Sequence, residues 1–157
     1  MRIFSTLLQA LIFTSVLFPL SSLATSAQES EYRDYMIPNE LGAIPARLPK
    51  SMMEEAQNTL TQIAKNIAVC REYLREHKNP LIDKVSVFSV QRSTLGCRVD
   101  ITAAGTRRYS CLLSKSEQLK FASAMQMRAK GAGAMGDFSA SEKEILFDPE
   151  VCEEQRL

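Results

Sequence analysis

The chain has 157 residues, and its 19 lysines and arginines nearly balance its 18 aspartates and glutamates. This balance leaves no basic footprint of the kind that nucleic-acid-binding proteins carry, so nucleic acid is not expected as a partner. A single histidine beside four cysteines, without C-x-x-C spacing, argues against a zinc site and against a thiol–disulfide oxidoreductase.

The first 27 residues have the pattern of a secretory signal peptide, which we expect to be removed. Arg2 supplies the positive start, residues 3–20 are mostly apolar and uncharged, and Thr25-Ser26-Ala27 offers a cleavage site. Ser22-Leu23-Ala24 is an alternative site, and Pro19 interrupts a run that is short for an uncleaved membrane anchor. The pattern predicts an exported bacterial protein, periplasmic or secreted, with no stable membrane anchor after cleavage.

Residues 28–50 predict an extended or mobile N-terminal arm. The segment contains Pro38, Pro45 and Pro49 and shows no clear periodicity. It is nevertheless apolar for a linker, since it carries Tyr32, Tyr35, Met36, Ile37, Leu41, Ile44 and Leu48. Three interpretations follow: packing on its own domain, ordering on a partner, or plain disorder.

Residues 51–77 predict a long amphipathic helix. Ser51 and Glu54 match a capping box, in which each side chain accepts a hydrogen bond from the backbone amide of the other residue. Apolar residues recur at intervals of three and four, at Met53, Ala56, Leu60, Ile63, Ile67, Cys70 and Leu74. We expect this stripe to cover a sheet, although a coiled-coil seam has similar spacing.

Residues 84–113 predict a three-stranded antiparallel meander. Its β-branched, largely alternating runs are 85–91, 97–102 and 106–112. If Ala104 is the centre of a three-residue loop, Cys97 lies directly opposite Cys111 on one face. A slip by one residue would move every side chain to the other face.

This register gives the meander two different faces. The face expected under the helices carries Val85, Val87, Val99, Ile101 and Tyr109 with the two cysteines. The outer face is expected to carry Phe88, Val90, Arg98, Asp100, Thr102, Arg108, Ser110 and Leu112, with Asp100 opposite Arg108. A partner surface is predicted from Phe88, Arg98 and Arg108 with the arm residues Tyr35, Ile37, Leu41 and Ile44. A solvated outer face, with Phe88 partly covered by the arm, is the alternative.

A second helix is predicted over residues 114–130, because Ser114 and Glu117 form another capping box. The following residues 131–136 match the pattern G-x-G-x-x-G. A dinucleotide site requires that pattern after a strand and before a helix. Here it follows a helix, so we predict a flexible loop and no bound cofactor.

The C-terminal residues give weaker signals. Residues 144–147 predict a fourth strand, or a short helix capped by Ser141 and Glu144. Asp148-Pro149-Glu150 resembles a helix start with proline at the first helical position. That last helical turn would contain Cys152.

Four cysteines in an exported chain predict two disulfides, for which three connectivities exist. The proposed register favours Cys97–Cys111, which leaves Cys70 to pair with Cys152. The second bridge would tie the C-terminal tail to the buried face of the first helix.

No arrangement of catalytic residues is recognisable. Cys70 and His77 would lie about 10 Å apart along a helix axis, beyond hydrogen-bond reach, and His77 is predicted to be an exposed surface residue. Paired acids occur at Glu54/Glu55, Glu142/Glu144 and Glu153/Glu154, all in cap or tail contexts. No two of them can be assigned to the opposite sides of one cleft, as a glycosidase needs.

The sequence therefore predicts an α+β fold, with two helices on one face of a three- to four-stranded antiparallel sheet. Residues 51–157 are expected to form one disulfide-stapled domain. The expected function is non-enzymatic binding of another protein of the envelope or exterior, as an inhibitor, an immunity-type protein or an accessory part of an envelope or secretion assembly. The alternative is a small hydrolase of cell-wall or extracellular substrates, acting through carboxylates that the sequence does not identify.

Overall fold

The computed structural model describes residues 31–39, 41–79 and 84–157. The predicted signal peptide lies outside these residues. Within them the fold is α+β, with one two-stranded and one five-stranded antiparallel sheet and three α-helices. Glu31–Leu157 forms one compact unit. The class agrees with the prediction, whereas the numbers of strands and helices differ.

The N-terminal arm is a β-hairpin. Strands β1 (Tyr32–Asn39) and β2 (Gly42–Pro49) pair along their whole length. In the turn, the backbone amide of Leu41 donates a hydrogen bond of 2.9 Å to the side chain of Asn39. Ile37 is only 3% exposed and belongs to the hydrophobic core, so this hairpin packs on its own domain.

Helix α1 (Lys50–Val69) follows the hairpin without a linker. The predicted capping box of Ser51 and Glu54 is absent: Pro49 is the N-cap residue, and no side chain caps the helix. Glu54 instead lies 3.5 Å from the amine of Lys50 one turn earlier. The buried face is close to the predicted stripe and comprises Met53, Ala56, Thr59, Leu60, Ile63, Ala64 and Ile67.

Helix α1 ends eight residues before the predicted end at residue 77. Cys70 adopts a left-handed conformation with φ of 47°. The amides of Cys70 and Arg71 bond to the carbonyls of Ile67 and Asn66, which is the Schellman pattern of a helix end. The following residues form strand β3 (Tyr73–Asn79), on which Leu74 is 70% exposed.

The larger sheet has the order β3-β4-β5-β6-β7. Its other strands are β4 (Lys84–Ser93), β5 (Gly96–Ala103), β6 (Arg107–Leu113) and β7 (Cys152–Arg156). The predicted meander is therefore present, flanked by an additional strand on each side. The tail, predicted as a helical turn, supplies β7, while the predicted strand at 144–147 falls mostly within a helix.

A tight turn determines which side of β4 is buried. Ser93 pairs with Gly96, so only two residues separate β4 from β5, and Phe88 lies opposite Ile101. Residues paired across antiparallel strands share a face, which places Phe88 (1% exposed) in the core. The prediction had assigned Phe88 and Val90 to the outer face and Val85 and Val87 to the core. The structure reverses this assignment, since Val90 is buried and Val85 is exposed.

The register between β5 and β6 differs from the prediction by two residues. Ala103 pairs with Arg107, so the three-residue loop is centred on Gly105 instead of Ala104, and Cys97 lies opposite Leu113 instead of Cys111. Ala104 takes a positive φ of 50° within this loop. A shift of two preserves the face of every residue, and both cysteines still point into the core.

The disulfides are Cys70–Cys97 and Cys111–Cys152. Both predicted pairings are therefore wrong, although all four cysteines are bonded. Cys111 lies directly opposite Cys152 in the β6–β7 ladder, while Cys97 faces the end of α1. One bridge joins helix to sheet, and the other fixes the terminal strand.

Helices α2 (Lys115–Arg128) and α3 (Ala140–Leu146) complete the layer. The predicted capping box of Ser114 and Glu117 is confirmed. A second box forms at Ser139 and Glu142, two residues before the predicted alternative. Helix α2 lies against α1, and the side-chain amide of Gln118 donates a 2.6 Å hydrogen bond to the carbonyl of Ile67.

Removing either disulfide should lower stability substantially, because each bridge restricts the unfolded chain. The sequence separations are 27 and 41 residues, for which chain entropy gives about 3 to 4 kcal/mol each. We expect urea unfolding of Cys70→Ala/Cys97→Ala and of Cys111→Ala/Cys152→Ala to show losses of that size. Non-reducing peptide mapping of the oxidised chain tests the pairing, and a Cys97–Cys111 peptide would contradict it.

Candidate binding surfaces

The glycine-rich segment is an ordered turn and not the predicted flexible loop. Gly131–Met135 forms a 3-10 helix between α2 and α3. Its carbonyls accept hydrogen bonds from the side chains of Gln57, at Gly131, and of Asn79, at Met135. Gly136 lies so close to the carbonyl of Pro38 that a side chain there would clash. The glycines therefore permit close packing on the hairpin.

A buried ion pair holds this turn in place. The Nε of Arg128 lies 2.8 Å from a carboxylate oxygen of Glu142, which is 0% exposed. The same oxygen accepts hydrogen bonds from the amide and hydroxyl of Ser139. The guanidinium also donates to the carbonyl of Gly136 and lies 5.4 Å from the ring centre of Phe138. Glu142 is thereby occupied as a structural group.

His77 is buried, in contrast to the predicted surface position. It lies on β3, is 8% exposed, and hydrogen-bonds to the backbone of Ala134 in the 3-10 turn. Burial and the nearby charge of Arg128 lower the pKa of His77, and the hydrogen bond and Glu55 oppose this shift only in part. Cys70, which was predicted to lie beyond hydrogen-bond reach of His77, is in a disulfide and is not a nucleophile.

The outer face of the five-stranded sheet carries a cross-strand polar cluster. Asp100 accepts hydrogen bonds from Arg98 at 3.1 Å and from Ser110 at 2.7 Å, and Arg108 lies 3.6 Å away. Partial burial raises the pKa of Asp100, but these hydrogen bonds and positive charges outweigh it and lower that pKa below its usual range. The two arginines of the predicted partner surface are thus already paired.

The remaining residues of that predicted surface are separated by the fold. Phe88 and Ile37 are in the core and cannot contact a partner from there, and Tyr35 is half-buried. Leu41, at the hairpin turn, is 98% exposed, and Ile44 is half exposed. Only the hairpin end of the predicted surface is therefore accessible and apolar.

The hairpin surface consists of five exposed residues: Met36, Pro38, Leu41, Ala43 and Pro45. Ile44 is half exposed but pairs with Ile37, so it lies on the other face of the hairpin. Met36 pairs with Pro45, and Pro38 pairs with Ala43, so these four share the outward face. Ile37 and Leu48 anchor the opposite face in the core. An apolar group of this kind on one ordered element is typical of a protein-binding surface.

A groove follows the free edge of β3 and faces α1. Its larger section has a volume of about 730 Å³ and includes Met52, Ala56, Glu76 and His77. A second section of about 610 Å³ extends to Gln62 and Tyr73. Glu55, Thr59 and Arg75 line both sections. Sequence analysis missed this groove, since it had placed β3 inside a helix.

The part of the chain that the structure describes shows neither a cluster of metal-ligating residues nor a membrane-spanning helix. No group of three or more histidine, cysteine, aspartate or glutamate residues there is arranged to hold a metal ion. None of the helices described has the length and apolar character to cross a bilayer.

Comparisons with known proteins identify no relative: no protein-family model, no curated protein and no solved structure matches this chain.

Replacing Glu142 with glutamine should destabilise the protein by about 3 kcal/mol, because the charge of Arg128 would remain buried without its partner. The matched control is Glu144→Gln, on the same helix but exposed, with an expected change below about 0.5 kcal/mol. Urea unfolding at pH 7 measures both variants. Equal stability of the two variants would show that the buried pair is not a major constraint.

The stability of the protein should fall as the pH decreases below 6.5, the ordinary pKa of histidine. His77 has a lowered pKa in the folded state, so the unfolded chain takes up a proton first in this range and is favoured. The stabilising contribution is complete above pH 6.5 and is lost as the pH falls to the folded pKa. Urea unfolding between pH 7.5 and 5.5 should show a smaller decrease for His77→Gln than for the natural chain. Parallel curves would contradict this role of His77.

Proposed function

We propose that this protein is an exported, non-enzymatic binding protein that recognises another protein of the envelope or exterior through the hairpin surface. The observation that supports this proposal most directly is the contrast between the two faces of the hairpin. One face is anchored in the core by Ile37 and Leu48, while the turn presents Leu41 almost completely to solvent.

The anchoring makes the exposed group suitable for recognition. Single exposed apolar residues are common and need no explanation, but here five lie together on one short element. The backbone of β1 is fixed to the 3-10 turn, since the amide of Asp137 donates to the carbonyl of Pro38 at 3.3 Å. A partner would therefore meet a preformed surface and lose little conformational entropy in ordering it.

The two disulfides are compatible with an oxidising compartment outside the cytoplasm. Together with the signal-like N-terminus, they support a periplasmic or secreted location. An inhibitor, an immunity-type protein and an accessory part of an envelope or secretion assembly all fit a small binding domain of this kind. Hydrolysis of cell-wall or extracellular substrates remains the alternative from the sequence, and no feature of the described residues favours it.

The test is affinity capture from envelope and culture fractions with the oxidised chain beginning at residue 28. The variant is Met36→Asp/Leu41→Asp, which places two charges on the hairpin surface and should abolish retention of a stoichiometric protein partner. The matched control is Leu95→Asp, because Leu95 is also at a hairpin turn and is 79% exposed. The control should retain the partner, and the purified pair should rebind with the same dependence on the variants.

Equal retention by both variants would place the interface elsewhere, and a blank for the natural chain would contradict protein binding. Incubation of the same chain with peptidoglycan and with extracellular glycans addresses the alternative. Release of soluble products that increases with enzyme concentration would overturn the non-enzymatic assignment.

A further inference from the structure

Among the residues that the structure describes, strand β3 is an edge of the five-stranded sheet. On one side it pairs with β4, from Tyr73 opposite Val90 to Asn79 opposite Lys84. On its other side, alternate residues of an edge strand present backbone N–H and C=O groups that another strand can bond. The part of this edge between Tyr73 and His77 lies along the groove, which α1 also lines.

The groove has the size and lining of a binding site. Its two sections, of about 730 and 610 Å³, lie in the range of ordinary ligand pockets. Met52 and Ala56 provide apolar contacts from α1, and Tyr73 closes one end beside Gln62. An edge strand beside a groove of this length favours an extended peptide over a compact ligand, because only a strand can pair with successive backbone groups.

Charges of both signs line the groove, namely those of Glu54, Glu55, Arg75, Glu76 and Lys78. Two of them belong to the side where α1 and β3 face each other. Arg75 lies opposite Phe88 in the ladder, so it projects on the helix-facing side of β3. Glu55 approaches from α1, yet no ion pair within 4.0 Å joins Glu55 and Arg75 in the ranges that the structure describes. Charged edges resist pairing with apolar strands. They accept a strand that places an opposite charge beside each of them.

We propose that the groove between α1 and β3 binds an extended segment of a partner protein as a sixth strand of the sheet. An acidic side chain of that segment lies beside Arg75, and the backbone of the segment bonds to the edge of β3 between Tyr73 and His77. This surface is separate from the hairpin surface, and the proposal holds whether or not the hairpin has a partner.

The first test uses synthetic nine-residue peptides of alternating valine and threonine, with aspartate, asparagine or lysine at the central inward position. Backbone amide shifts of the ¹⁵N-labelled oxidised chain beginning at residue 28 report where each peptide binds. The largest changes are expected in β3 and in α1 between residues 52 and 62. Affinity should decrease from aspartate to asparagine to lysine. Methylation of the peptide amides that pair with β3 should abolish binding, while methylation of the opposite amides should not.

The second test reverses the charge of the groove. Arg75→Glu should invert the order, so that the lysine peptide binds about fivefold to tenfold more tightly than the aspartate peptide. Arg92→Glu is the control, because Arg92 is an exposed cation of β4 outside the groove, and it should keep the natural order. Thermal melting of each variant confirms that it is folded.

Several results would overturn the proposal. These are the absence of binding by all three peptides, shifts confined to β7 or to the hairpin, and an order that Arg75→Glu leaves unchanged. Sedimentation of the free chain addresses another occupant. A dimer that forms without peptide and is dispersed by Arg75→Glu would assign this edge to a second copy of the chain.

Discussion

The ion pair between Arg128 and Glu142 is the constraint on which the helical layer depends. Arg128 ends α2 and Glu142 begins α3, so their contact determines how the chain reverses between these helices. A buried charge is costly without a partner, and Glu142 is satisfied only when Ser139 and Arg128 are both in place. The ion pair thereby fixes the 3-10 turn, since Arg128 also donates to the carbonyl of Gly136. Because Gly136 contacts Pro38, the position of the hairpin on the domain is fixed as well.

The two disulfides complement this network on the sheet side. One joins the end of α1 to β5, and the other joins β6 to the terminal strand β7. Helix, sheet and tail are therefore joined by covalent links in addition to the hydrophobic core. The burial of all four cysteines is consistent with structural bridges, since reactive cysteines are usually accessible.

The two candidate binding surfaces lie on parts of the domain that the ion pair and the disulfides do not involve. The hairpin is held at its base and exposed at its turn, and within the described ranges β3 has a strand partner on one side only. On the outer sheet face, by contrast, Asp100 already forms ion pairs with Arg98 and Arg108. The ion pair of Arg108 with Asp100 links β6 to β5. Arg98 and Arg108 are therefore less available to a partner than Arg75 is.

Local patterns in the sequence determined the α+β class, the buried stripe of α1, the meander and the capping box at Ser114, because each depends on neighbouring residues. Tertiary structure decided the rest. Both Val85/Val87 and Phe88/Val90 are apolar sets of one strand, so only the two-residue turn before Gly96 selects which set is buried. The apolar stripe in the sequence continues through Cys70 and Leu74, but the helix ends at Val69. Cys70 adopts the left-handed conformation that glycine usually takes at a helix end, so no glycine in the sequence marks this end. The Cys70–Cys97 disulfide, the buried His77 and the groove beside β3 all follow from that helix end, which no local pattern indicates.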